Sequence, residues 1–139
     1  MIEVGPSDDL TTCLALRHEV FVDEQGVSLA DEQDGRDGDA HHILARVDGA
    51  PVGAARILIK GETGKIGRVC VLKAARGTGL GEGLIRACLE HLRQQPGLTR
   101  AELGAQTQAL AFYEKLGFAA YGPVYDDAGM PHRDMELAL

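Results

Sequence analysis

The sequence predicts a mixed α/β domain of α+β type over residues 1–139, with a central, mostly antiparallel sheet flanked by helices. Three observations predict it. Between His42 and Leu72, three strand-like apolar runs follow one another through tight turns, the pattern of an antiparallel meander. Two later segments carry apolar residues at helical spacing and alternate with strand-like runs. The length of 139 residues, 45% hydrophobic and 25% charged, suits one globular domain with a sizeable core.

The elements follow in order. Ser7, ahead of Asp8 and Asp9, reads as a helix N-cap with acids in the first turn, where the helix dipole favours them. Leu10, Cys13, Leu14, Arg17 and Phe21 then recur at helical spacing to about residue 21. Residues 23–39 lose that pattern and hold seven acids against one Arg, a loop or irregular helix carrying most of the chain's net charge of −7. His42–Val47 reads as a strand, Asp48-Gly49 as a hairpin turn and Val52–Lys60 as its partner. Gly61–Gly64 turns into a third strand, Ile66–Leu72. Leu80, Leu84, Cys88 and Leu92 mark one face of a helix that Pro96-Gly97 stops. Arg100–Ala105 reads as a strand and Thr107–Leu116 as a helix ended by Gly117. Phe118–Tyr125 and Met135–Leu139 close the chain as strands around Asp127-Ala128-Gly129.

Composition narrows the partners. An acidic chain, with 14 Lys and Arg against 21 Asp and Glu, lacks the basic stripe that phosphate backbones require, so no nucleic-acid partner is expected. No apolar run reaches the roughly 18 residues that span a bilayer, and Met1-Ile2-Glu3-Val4 lacks the regions of a signal peptide. No membrane partner is therefore expected. Cys13, Cys70 and Cys88 are an odd number without CxxC spacing; they read as reduced, buried thiols of a cytoplasmic protein. No clustered ligand set suggests a metal.

The strongest chemical signal lies at Val69–Gly81. A strand runs through Val69, Cys70 and Val71 into a glycine-rich turn, Arg76-Gly77-Thr78-Gly79-Leu80-Gly81, at which a helix begins. Glycines let the backbone approach a ligand closely, their N–H groups can face it, and the helix dipole favours negative charge. Arg76 adds a donor suited to phosphate. The turn lacks the Gly-Lys-Ser/Thr ending of a Walker loop and the spacing of a dinucleotide fingerprint.

Arg76-x-x-Gly79-x-Gly81 after a hydrophobic strand resembles the acyl-CoA signature of the GCN5-related N-acetyltransferases (GNAT). A second segment, Gln106-Thr-Gln-Ala109…Phe112-Tyr113-Glu-Lys115-Leu-Gly117-Phe118, is similar to that superfamily's Asn-x-x-Ala…Tyr-x-Lys-x-Gly-Phe. The two stand in the superfamily's order, and Arg17-His-Glu-Val-Phe-Val-x-Glu24-Gln25 is similar to a segment of its small, poorly specified members. The resemblance implies that Val69, Cys70 and Val71 pair with the pantetheine arm, with the Val71 N–H facing the thioester carbonyl. It implies a pyrophosphate site at Gly77, Thr78, Gly79, Leu80, Gly81 and Glu82, with Phe112 packed beside the cofactor. It makes Tyr113 the acid that protonates the departing thiolate. Gln106 stands where Asn is usual, so its contact to the pantetheine arm has a shifted geometry.

Other assignments rest on the residues themselves. Cys70, among valines and with no histidine adjacent, reads as a structural thiol, which favours direct transfer over an acyl-enzyme. Histidine suits the removal of a proton from the attacking amine, which makes His42 a candidate base; Glu24, Asp39 and His132 are the others. The acidic stretch reads either as a solvated face or as an attractor of a cationic amine. The expected function is transfer of acetyl from acetyl-CoA to the primary amine of a small molecule or peptide. The alternatives are a non-catalytic acyl-CoA-binding module and, more remotely, a nucleotide-phosphate enzyme. Apolar edge strands are compatible with a monomer or a homodimer.

Overall fold

The computed structural model describes residues 1–139. Seven strands form one sheet: β1 (Ile2–Ser7), β2 (His41–Val47), β3 (Ala50–Lys60), β4 (Thr63–Val71), β5 (Arg100–Gln106), β6 (Ala119–Asp127) and β7 (Met130–Ala138). Their order is β1-β2-β3-β4-β5-β7-β6, and β4 with β5 is the one parallel pair. The helices are α1 (Leu10–Arg17), α2 (Leu29–Glu32), α3 (Leu80–Arg93) and α4 (Leu110–Lys115). The expected mixed α/β architecture with a mostly antiparallel sheet is thus observed.

The meander forms as its turns demand. Asp48 and Gly49 both adopt positive φ, as the tight turn between β2 and β3 requires. The next turn is shorter than expected, because Lys60 already pairs with Thr63. Helix α3 covers one face of the sheet, burying Leu84, Ile85, Cys88 and Leu92 against Ile43, Ile57, Ile66 and Leu103. At Gly64 an added side-chain carbon would collide with Leu92, so the glycine sets how closely α3 approaches. On the other face α1 covers a smaller cluster in which Cys13, Leu16 and Val20 meet Leu44, Ala54 and Cys70.

Some elements differ from the expectation. Strand β1, exposed and interrupted by Gly5-Pro6, carries no clear alternation; its pairing with β2 makes it a strand. The cap of α1 is Asp9, whose carboxylate accepts from the Thr12 N–H at 3.2 Å, while the Ser7 hydroxyl accepts from the Asp9 N–H. Beyond α1 the chain widens into a π-helical turn over His18–Glu24. The last strand begins at Met130 rather than Met135. Pro131 is tolerated there because β5 ends at Gln106, opposite His132, so the missing N–H has no neighbour on that side.

Strands β4 and β5 then part. Their ladder runs from Thr63↔Arg100 to Ile66↔Leu103 and stops, although β4 continues to Val71 and β5 to Gln106. At the parting β4 bulges: Arg56 pairs with Gly67 and Ala54 with Cys70, so Arg68 and Val69 together oppose Ala55. Arg68 sits at φ 51°, a left-handed conformation costing a non-glycine residue about 1–2 kcal/mol.

Candidate active site

The gap between β4 and β5 is bordered at one end by a glycine turn and the start of α3. Gly77 and Gly79 have φ of 79° and 82°, which branched side chains disfavour. Gly79 is the N-cap of α3 and supplies no side-chain acceptor, so the first N–H groups of a 14-residue helix are left for a ligand. The Thr78 hydroxyl is turned back to donate to the Ala75 carbonyl at 2.6 Å. Leu80 is buried as a core anchor, and Glu82 pairs along the helix with Arg86. The Phe112 ring, 40% exposed, lies 3.7 Å from the position of a side-chain carbon at Gly81, so it flanks the turn.

The strand side of the gap offers backbone. Leu72 donates to the Val52 carbonyl at 2.8 Å, and alternation along the strand turns the Val71 peptide groups away from β3 toward the gap. The Val71 carbonyl accepts from Arg76 Nε at 3.0 Å. Arg76 Nη1 and Nη2 each donate to a Glu24 carboxylate oxygen at 2.6 Å, and this guanidinium holds Glu24 below the usual carboxylate range.

A cavity of about 400 Å³ opens beside the gap, and Val69, Gln106, Tyr113, Tyr125 and His132 are among its walls. Tyr113 packs edge-on against Phe112 and Phe118, and burial pushes its phenol up to about 12, so it is protonated at any ordinary pH. Gln106 Oε1 accepts from Gln108 Nε2. The backbone carbonyl of Met130 can only accept, so His132 Nδ1, 2.9 Å from it, is the donor, and in the neutral ring the lone pair lies on Nε2. Asp127 lies 4.0 Å from Nε2, and the ring stacks on Tyr125.

The acetyltransferase (GNAT) domain model matches residues 9–139, which is nearly the whole chain. The chain belongs to the GNAT family. The uncharacterized N-acetyltransferase YjcF of Bacillus subtilis is 39% identical over 129 residues, 92% of this chain and 91% of that one. Among solved structures, Escherichia coli ElaA superposes with a TM-score of 0.87 at 36% identity, covering 99% of both chains. An acyl-CoA N-acyltransferase from Pseudomonas aeruginosa superposes at 0.89 with 35% identity, covering 99% of this chain and all of that one. The GNAT fold implies use of an acyl-CoA.

Within this GNAT fold the expected site residues separate into two groups. Val69, Gln106 and Tyr113 share the cavity, and Phe112 joins the glycine turn. Cys70 is buried under α1, where burial pushes its thiol up to about 12; its side chain is not among the cavity walls. Among the candidate bases, His42 and Glu24 stand elsewhere. His42 is buried opposite Arg56 on the α1 face, with Nε2 3.0 Å from the Asp37 carbonyl, so it props the acidic loop. Glu24 is occupied by Arg76, and Asp39 is exposed in a short turn outside the cavity. His132 lines the cavity itself.

The acidic stretch is not an open anionic field. Arg17, fully buried, pairs with Glu32 at 2.6 Å and Asp37 at 2.7 Å, and Arg56 grips Asp34 through two bonds of 2.8 Å. Arg56 holds Asp34 well below the carboxylate range. Three of the seven acids are thus neutralised by arginines 15 to 22 positions away in sequence. Sequence reasoning also missed Gly104, Tyr125 and Asp134: the Tyr125 hydroxyl donates to Asp134 at 2.7 Å across the β6–β7 pair. Only the unusual length of the final hairpin could have signalled them. No helix is long and apolar enough to cross a membrane, and no group of three or more His, Cys, Asp or Glu could hold a metal.

Proposed function

We propose that this GNAT protein transfers the acetyl group of acetyl-CoA to a primary amine by direct attack. Acetyl-CoA brings an activated acyl group and a good leaving thiolate. The Gly77–Glu82 turn and Arg76 hold the diphosphate, Val69–Val71 align the pantetheine arm, and the Val71 N–H steadies the thioester oxygen. Gln106 and Phe112 flank the arm.

His132 Nε2 takes the proton that the ammonium must lose before it attacks, and Asp127 stands by the charge that results. As the new N–C bond forms and the C–S bond breaks, Tyr113 gives its hydroxyl proton to the sulfur, and the proton that the new amide nitrogen must shed returns to the Tyr113 oxygen. General acid–base steps of this kind contribute about 10²–10⁴-fold each. The Cys70 thiol takes no part in the chemistry, since a thiol pushed up to about 12 is not a nucleophile at neutral pH. Three buried free cysteines fit a reducing cytoplasm.

The observation that carries this reading is the uncapped start of α3, which meets the β4–β5 gap beside a cavity walled by Tyr113. Calorimetric titration with acetyl-CoA tests it, with ATP and NAD as controls and thiol release in the presence of an amine panel as the second readout. Micromolar binding of acetyl-CoA with amine-dependent thiol release is expected. Absence of heat with acetyl-CoA overturns the donor site; binding without release across the panel overturns catalysis.

A further inference from the structure

The chain as a whole is acidic, yet the part of the cavity next to the β4 bulge is not. Of the acids along its wall, Glu32 is buried against Arg17 and Asp34 is clasped by Arg56. Asp31 is exposed, and Asp127 stands beside His132. Against these, Lys65 and Arg36 line the same cavity with no carboxylate in salt-bridge range.

Arg68 is the third cation, and it is built in rather than left at the surface. Its backbone takes the strained left-handed conformation at the bulge, and its side chain is only 25% exposed. Nη2 donates to the backbone carbonyls of Asp31 at 3.1 Å and Glu32 at 3.2 Å, which anchors the guanidinium against the loop. Nε is buried without a partner, and Nη1 has no partner in the protein, while Asp34 is 3.6 Å from Nη2. An anchored guanidinium on a cavity wall, with Nη1 unpaired, is a receptor for an oxyanion.

We infer that the acceptor amine also carries a carboxylate, as a free amino acid does, and that Arg68 receives that carboxylate, with Lys65 on the wall of the same cavity adding positive charge. This inference rests on the proposed acetyl transfer. Arg68 and Lys65 are here specificity-determining residues. They act on the part of the acceptor that does not react, so their charge selects between acceptors and leaves the chemistry at the amine alone. The inference replaces attraction of a purely cationic amine by the acidic loop, whose Glu32 and Asp34 carboxylates on the cavity wall are already paired with Arg17 and Arg56.

The test compares each of the common amino acids with its own α-amide as acceptor, at saturating acetyl-CoA, on the wild-type protein and on the Lys65→Gln and Arg68→Gln variants. Both members of a pair present the same amine, so the comparison isolates the carboxylate. At least a tenfold higher kcat/KM for the acid than for the amide is expected with the preferred side chain. Each variant is expected to remove most of that preference by lowering kcat/KM for the acid several-fold more than for the amide. Arg68→Gln disturbs a strained position; Lys65→Gln, on an exposed strand residue, keeps the test sound should Arg68→Gln fail to fold. Equal or better turnover of the amides overturns the inference, as does a variant that lowers both rates together, or indifference to every pair while acetyl-CoA still binds. Failure of acetyl-CoA to bind, read separately by calorimetry, overturns the donor site and this inference with it.

Discussion

The Tyr125 hydroxyl lies 2.5 Å from the place where a side-chain carbon at Gly104 would stand. Tyr125 can therefore reach over β7 to β5 only because residue 104 has no side chain. From there it donates to Asp134 and supports the ring of His132. Burial and the Asp134 carboxylate both push its phenol up, so it stays a donor. Gly104→Ala is expected to expel the ring and loosen His132, lowering kcat/KM at least tenfold. Acetyl-CoA affinity, measured by calorimetry, should change by no more than about twofold.

Tyr113→Phe removes one hydroxyl and keeps the ring between Phe112 and Phe118. A fall in kcat of about 10²-fold or more is expected, with little change in acetyl-CoA Kd or thermal midpoint. Because burial pushes the Tyr113 phenol up to about 12, the wild-type rate should show no decline attributable to it up to about pH 10. A kcat within threefold of wild type would remove Tyr113 from the acid role.

Glu24 and Arg76 are each more than a third exposed, so solvent screening leaves their ion pair little weight in stability. Its larger effect is on ligand charge. Glu24→Gln leaves Arg76 with an uncompensated positive charge and is expected to tighten acetyl-CoA binding a few-fold at low salt, an advantage that shrinks as salt rises. Calorimetry at two ionic strengths reads both. Weaker binding in this variant would show that Glu24 positions Arg76 rather than competing for it.

Arg17 and Glu32 form a pair sealed from water beneath the loop. Arg17 also holds Asp37, whereas the buried Glu32 carboxylate is bonded by Arg17 alone, so Arg17→Met strands a buried charge and is expected to cost about 3–5 kcal/mol in urea unfolding. Replacing both, as Arg17→Met with Glu32→Leu, should recover most of that loss. A single-variant cost below 1 kcal/mol would contradict the sealed pair.

His41 on β2 and His91 on α3 touch through Nδ1 and Nε2 at 2.8 Å. Burial, and then His41, lowers His91 below the usual histidine value. The unfolded chain therefore takes up a proton at His91 before the folded chain does. Stability is full above about pH 6.5, the unfolded value, and declines as pH falls from there to the lowered folded value. His91→Gln, which keeps a polar group at the contact, should flatten that decline in thermal midpoints measured from pH 7.5 to 5. An unchanged slope would exclude His91 as its source.

Much of this molecule is written in short stretches of sequence. The Leu80–Leu84–Cys88–Leu92 face of α3, the Asp48-Gly49 turn and the Arg76–Gly81 turn are local patterns, and each forms where its own residues require it. Periodicity and turn chemistry act over a few residues, so no knowledge of distant neighbours is needed. Strand β1 and the start of β7 were less legible, because pairing partners rather than their own side chains make them strands. The division of labour among the histidines was not legible at all. His42 and His132 are both polar residues on strands, and only the register of β2 on β3 and of β7 on β5 turns one beneath the loop and the other into the cavity. The same holds for the acidic stretch, whose charge was visible but whose arginine partners come from α1 and β3. Which groups face each other depends on sheet face and register. Shifting a strand by one residue would exchange its two faces, so only the assembled sheet decides it.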